Sequence, residues 1–258
     1  MFAQWRRKIN LPDQKLRKDI LKALLDSKIV WAARPRKRFL LPALMKDVEH
    51  WNWLKENIQK CAQAPDTSLA DSFGFLERSF RETQKDLRTI ILYQLLLLYP
   101  NVLVEKAIQM IGRTQITQQI NGIDILQDLI SPKLYHSLRP ILLDPIESDQ
   151  SAASEALNKT QACSFLKHLI LKPEFELDRW ASACALYGLK NSVEKADSAV
   201  LKRAFSMPWE VVWEAALDDL GVWMNQKEQY QFLQTILSDS PNQGFVHYLK
   251  TRSINDYL

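Results

Sequence analysis

The sequence predicts an all-α protein, an α-solenoid in which antiparallel helix pairs stack on one another. Three observations predict it. Apolar residues recur at helical spacing along most of the 258-residue chain, and no segment keeps the period-2 alternation of a strand. Glycine is scarce, with 6 residues, while Leu, Ala, Lys, Glu and Gln are plentiful, a balance that favours helices over sheets. Three blocks of sequence also repeat at intervals of 63 and 31 residues, about two units and one.

The elements follow in order. In "LPDQKLRKDILKALLDSK", Asp13 stands where a helix cap is expected, and Leu16, Ile20, Leu21 and Leu24 recur at helical spacing. A short basic connection containing "RPRKR" comes next. Leu44, Val48, Trp51, Leu54 and Ile58 then mark one face of a second helix. From Pro65-Asp66 to Tyr99-Pro100 the pattern fits either one long helix or two with a break near Gly74. Pro100 sets the stop, because the residue before a proline is pushed out of helical geometry. The most apolar run, Thr89 to Val104, falls short of the roughly 20 residues that a membrane span needs. Gln94 and Pro100 interrupt it, so it reads as a buried helix. Shorter helices are expected to follow, punctuated by Gly112, Pro132, Pro140, Pro145, Pro173, Pro208 and Pro241, as in a domain built from helix pairs.

The repeat aligns "QINGIDILQDL" (119–129), "ASACALYGLKN" (181–191) and "WEAALDDLGVW" (213–223), with Asn121-Gly122 over Cys184-Ala185 over Ala215-Ala216. Ile123, Leu186 and Leu217 then coincide, as do Leu126, Leu189 and Leu220. A helix pair cannot bury its apolar face unaided. Stacked pairs therefore need small residues where backbones approach and leucines where side chains interdigitate. The expected organisation is a single solenoid domain over 1–258, with basic N-terminal helices in 1–64 and repeats in 65–258. An irregular part is expected near 145–160, where "SDQSAASEALNK" departs from the pattern.

"DRWASACALYGL" and "MPWEVVWEAALDDLG" resemble helices of HEAT repeats, which implies a right-handed superhelix of antiparallel helix pairs. Taken in order, "LLYPNVLVEKAIQMI", "INGIDILQDLISPKLYHSLRPILLD" and "DRWASACALYGL" resemble one group more closely. This is the soluble HEAT-repeat region of bacterial, chiefly cyanobacterial, membrane proteins similar to ADP/ATP translocases. The resemblance covers roughly Phe75 to Trp223 and rests on packing motifs. The transporter part is absent, so nucleotide exchange is not implied, and Lys190 stands where a glycine is common. The chain is expected to be a free-standing relative of that region or a piece of a longer protein.

Charge is uneven. Residues 1–50 hold 13 Lys/Arg and 5 Asp/Glu, a balance of +8 against +4 for the whole chain, so the remaining 208 residues carry −4. Basicity thus belongs to the N-terminal segment. Arg34, Arg36, Lys37 and Arg38, with Arg6, Arg7 and Lys8, form a basic stretch suited to an acidic protein face, anionic lipid or nucleic-acid phosphates. Trp5 beside them would add interfacial attachment. Trp209 and Trp213 share a predicted helical face. Exposed, they would be a binding hot spot; buried, they would seal adjacent repeats. The candidate partner-binding residues are therefore Arg34, Arg36, Lys37, Arg38, Trp209 and Trp213.

Chemistry has fewer signals. Cys61, Cys163 and Cys184 are odd in number and widely spaced, which suits reduced thiols, and the four histidines lack metal-ligand spacing. Cys184 has no histidine one turn away to act as a base, and the repeat places it at a packing position. Cys163 and His168 are five apart and do not share a helical face. No P-loop, GxGxxG, HExxH, GxSxG or EF-hand pattern is present, and no catalytic, cofactor or metal residue is assigned. "MFAQWRRKINLPDQK" lacks the apolar core of a signal peptide, so the expected location is the cytoplasm or the periphery of a membrane. The expected function is a non-enzymatic scaffold that binds a protein through a concave groove. The alternatives are a nucleic-acid-binding HEAT-like protein, such as an alkylpurine DNA glycosylase-like enzyme using tryptophans with Asp218-Asp219, or a phycobilin lyase-like HEAT protein.

Overall fold

A computed structural model describes residues 13–27, 33–63, 69–147, 157–171, 175, 177–191, 198–239 and 242–251. All regular structure among them is helical: α1 Gln14–Asp26, α2 Ala33–Ala62, α3 Ala70–Leu98, α4 Val102–Ile111, α5 Ile116–Leu129, α6 Pro132–Glu147, α7 Lys159–Leu171, α8 Arg179–Lys190, α9 Ser198–Ser206, α10 Glu210–Trp223, α11 Gln226–Asp239 and α12 Gln243–Thr251. No described helix is long and apolar enough to cross a membrane.

The chain divides into two compact units. One holds residues 1–56 and 81–153; the other holds 57–80 and 154–258. The long helices α2 and α3 therefore contribute residues to both.

In the first unit, Asp13 caps α1 by accepting from the amide of Leu16 at 2.9 Å, as its position in the sequence predicts. The buried stripe of α1 is Arg17, Leu21 and Leu24, not the predicted run through Leu16, which is 47% exposed. Arg17 turns the helix by one residue because its guanidinium has a buried acid to meet. It donates to Asp47 of α2 at 3.0 Å, and Gln94 of α3 donates to the same carboxylate at 2.9 Å. These three polar residues tie three helices together at a point closed to water. His50, one turn beyond Asp47, is held neutral. Burial, and then the positive charges of Arg17 and Lys46, push its pKa down to about 4.

The second helix shows the expected face, with Leu44, Val48, Trp51, Leu54 and Ile58 all buried. It begins earlier than the sequence suggested, at Ala33, so the basic stretch belongs to its first turns rather than to a connection. The proline of that stretch, Pro35, falls in the first turn, where its missing amide costs nothing. From Ala70 to Leu98 the chain forms one helix, α3, with no break near Gly74. Gly74 is tolerated inside it, since an interior glycine costs a helix only about 1 kcal/mol. α3 stops at Leu98, two residues before Pro100, and its apolar run is buried at Ile90, Ile91, Leu92, Leu95 and Leu98. Asn101 then caps α4, accepting from the amide of Leu103 at 2.9 Å.

In the second unit, consecutive helix pairs stack. α7 packs on α8 and α9 on α10. Across the pairs, α7 packs on α9 and α8 on α10. A Phe205, Trp213, Phe245 and Tyr248 cluster joins α9, α10 and α12, with ring centroids 4.6 to 5.6 Å apart.

Candidate binding face

The helices α8 and α10 carry the aligned repeat blocks, and their register decides what each presents. The close-packed position is one residue later than the sequence alignment indicated. Gly122, Ala185 and Ala216 are the buried small residues, whereas Asn121 is exposed and Cys184 and Ala215 are half-buried. Leu126, Leu189 and Leu220 are all buried, as aligned. Cys184 is thus not the close-packing spacer. It lies at the rim of the buried face, and the neighbouring Ala185 makes the tight contact.

This register leaves one stripe of α8 outward. Trp180, Cys184 and Tyr187 are spaced by four and three residues and share a face. Trp180 is 56% and Tyr187 48% exposed, with the half-buried Cys184 between them. On α10 the aligned stripe is Val211, Ala215, Asp218 and Val222, of which Val222 is 59% exposed. The two helices pack side by side, so an apolar and aromatic surface spans both.

The N-terminal end of this surface is held firmly. Asp178 caps α8, its Oδ1 accepting from the amides of Trp180 and Ala181, both at 2.8 Å. Its Oδ2 accepts from the hydroxyl of Ser79 on α3 at 3.0 Å, and the Arg179 guanidinium stands 5.8 Å from the Trp180 ring centre. Towards the other end, Gly188 lets α8 approach its neighbours. A Cβ there would stand 2.8 Å from Leu166 and 3.2 Å from Ser72.

Charge gathers at the C-terminal end of α8. Lys190 pairs with Asp218 of α10 at 3.1 Å. Beside that pair Asp219 is fully buried, and neither carboxyl oxygen has a hydrogen-bond partner. Burial raises its pKa to about 8; Lys190 opposes the shift and Asp218 adds to it. Asp219 is therefore a neutral acid at pH 7. The thiol of Cys184 is also pushed up, by burial and then by the charge of Asp178, which is the opposite of what a nucleophile needs.

The sequence-predicted residues fall in different units. Arg34, Arg36, Lys37 and Arg38 belong to the first unit and Trp209 and Trp213 to the second. Lys37 and Arg38 are exposed near the start of α2; the side chains of Arg34 and Arg36, and Trp5, Arg6, Arg7 and Lys8 entirely, lie outside the described residues. Trp213 is only 4% exposed and donates from Nε1 to the carbonyl of Met207 at 2.6 Å, so its ring is a core element and presents no surface to a partner. Trp209 is not inside the helix with Trp213. It occupies the N-cap of α10, half-buried. Of the residues the base-excision alternative invoked, Trp213 and Asp219 are buried, Trp209 is half-buried and Asp218 is exposed. Cys163 is buried and His168 exposed, and no group of three metal-ligating side chains occurs among the described residues.

The face itself, Trp180 with Tyr187, was missed by sequence reasoning. A signal was present: once Trp213 is assigned to the core, Trp180 falls two residues, about 200° of helix, off the matching position 182 and points outward. The first unit has a separate shallow groove of about 370 Å³ between α5 and α6, walled by Asp124 on one side and His136 and Arg139 on the other.

Comparison with protein-family models, curated proteins and solved structures finds no match for this chain.

Proposed function

We propose that the protein is a non-enzymatic scaffold of HEAT-like helix repeats, related to the HEAT-repeat region its sequence resembles, that binds a protein partner over the α8–α10 face. The observation that carries this reading is the exposure of Trp180 and Tyr187 on one helical stripe. Two large aromatics half out of water, on a helix whose other sides are fully packed, are the residue types and the setting that anchor protein interfaces. The stacking of α7–α8 on α9–α10, helix on corresponding helix, supports the solenoid reading, because each pair in such an array buries its face on the next. The exposed Lys37 and Arg38 at the start of α2 supply a second, electrostatic surface for an acidic protein or an anionic membrane.

The test is site-specific photocrosslinking from position 187 in the native host, with Trp180 intact or changed to Ala. One dominant protein adduct that weakens at least tenfold in Trp180→Ala is the expected result. Adducts that do not depend on Trp180, or none at all, would sink the reading.

A further inference from the structure

The groove between α5 and α6 belongs wholly to the first unit. Ile120, Asp124 and Gln127 line it from α5, and Tyr135, His136, Arg139 and Leu143 from α6. Ile116 extends the α5 side. Ile116, Ile120, Asp124 and Gln127 are spaced by four, four and three residues and share one stripe. Ile116 is 56% and Ile120 43% exposed, so two turns of this stripe leave isoleucine in water. Asp124, His136 and Arg139 are all exposed, and none of their side chains has an ion-pair or hydrogen-bond partner among the described residues. The acid on one wall and the bases on the other do not reach each other across the groove.

Only Ile130 and Ser131 separate α5 from α6, so the two helices run antiparallel. Counted outward from that turn at equal rise, Gln127 stands level with Tyr135, Asp124 with His136 and Arg139, and the two isoleucines with Leu143. A half-turn about an axis along the groove lays α5 of one molecule on α6 of another. It sets isoleucine against leucine, acid against base and amide against phenol, and does so twice. A face that carries both halves of each match at the same level is self-complementary, as a twofold interface requires.

We propose that the protein forms a twofold dimer through this groove, with Asp124 of each molecule meeting His136 and Arg139 of the other. Burial of Ile116, Ile120 and Leu143 supplies the affinity, since exposed charge pairs contribute little. The charges set the register, and the Arg139 fork can hold a carboxylate by two parallel hydrogen bonds. An unrelated helix pair would need an apolar end, an acidic wall and a basic wall in this same order; a second copy of the chain already has them.

Sedimentation equilibrium of the full chain tests the proposal. Wild type is expected to be dimeric at about 0.1 mM. Asp124→Arg and Arg139→Asp should each weaken the dimer at least about tenfold, because like charges then meet at both contacts. Mixed in equal amounts, the two variants should associate again, since each supplies the charge the other lacks. Ile116→Ser with Ile120→Ser should also give a monomer. All four positions are exposed, so the variants are expected to keep the helical circular dichroism of wild type. A wild type that is monomeric at about 0.1 mM overturns the proposal. So do folded charge variants that dimerise as wild type does, a mixture of them that stays monomeric, or a double serine variant that remains dimeric.

Discussion

Gly122 lies so close to α4 that a Cβ added to it would stand 2.6 Å from the carbonyl oxygen of Ala107, with Ile111 and Met110 at 3.0 and 3.1 Å. The nearest atom is backbone and cannot swing aside. Gly122→Ala is therefore expected to destabilise the protein by about 1–3 kcal/mol, the usual cost of overpacking. Gly221 on α10 is the control. It is exposed, and a Cβ there meets nothing within 4 Å, so Gly221→Ala should stabilise by about 0.5–1 kcal/mol through helix propensity. Urea unfolding midpoints should move in opposite directions for the two substitutions.

Arg17 and Asp47 form a buried ion pair that also holds Gln94. Asp47→Ala leaves a guanidinium that is only 8% exposed without its counter-charge and should cost about 3–5 kcal/mol. The double replacement Arg17→Met with Asp47→Leu should recover much of that loss, because no charge is then stranded. Recovery should stop short of wild type, since the Gln94 amide keeps no acceptor. Urea unfolding of the two variants reads both effects, and a double variant weaker than Asp47→Ala would contradict the account.

Asp219 makes stability depend on pH in a direction unusual for a carboxyl group. Its pKa is raised in the folded chain, from 3.8 to about 8, so the folded state holds the proton more tightly than the unfolded state across that interval. The stability it contributes is present below about pH 4 and is lost progressively as pH rises to about 8, at up to roughly 1.4 kcal/mol per pH unit. Asp219→Asn removes this loss. At pH 8 the variant should be more stable than wild type by on the order of 5 kcal/mol, and the difference should shrink towards zero near pH 4. Melting temperatures of both proteins across pH 4–8 measure it, and parallel curves would refute the assignment.

The all-helical composition was legible because helical periodicity depends only on the order of apolar residues. The Leu44-to-Ile58 face, the cap at Asp13 and the stop before Pro100 all follow from local rules. Two expectations moved by a single residue. The buried stripe of α1 runs through Arg17 and not Leu16, and the close-packed repeat position is Ala185 and not Cys184. Both errors have the same origin. Spacing fixes which residues share a face, but a face about 100° wide can rotate by one position when a particular partner rewards it. Asp47, which provides that partner for Arg17, lies 30 residues away.

Binding residues were harder to read because tryptophan signals both core and interface. The sequence by itself determined that this chain forms helices, where some of them begin or end, and which small and apolar residues recur from one block to the next. These are short-range consequences of backbone geometry and side-chain type. The breaks expected at Pro140 and Pro145 do not occur, because both prolines lie inside α6. Only the tertiary structure decided that Trp213 is enclosed while Trp180 and Tyr187 face outward, and that Asp219 is buried without a partner beside Lys190. Burial and charge environment are properties of neighbours brought together from distant parts of the chain, and no local pattern encodes which neighbour arrives.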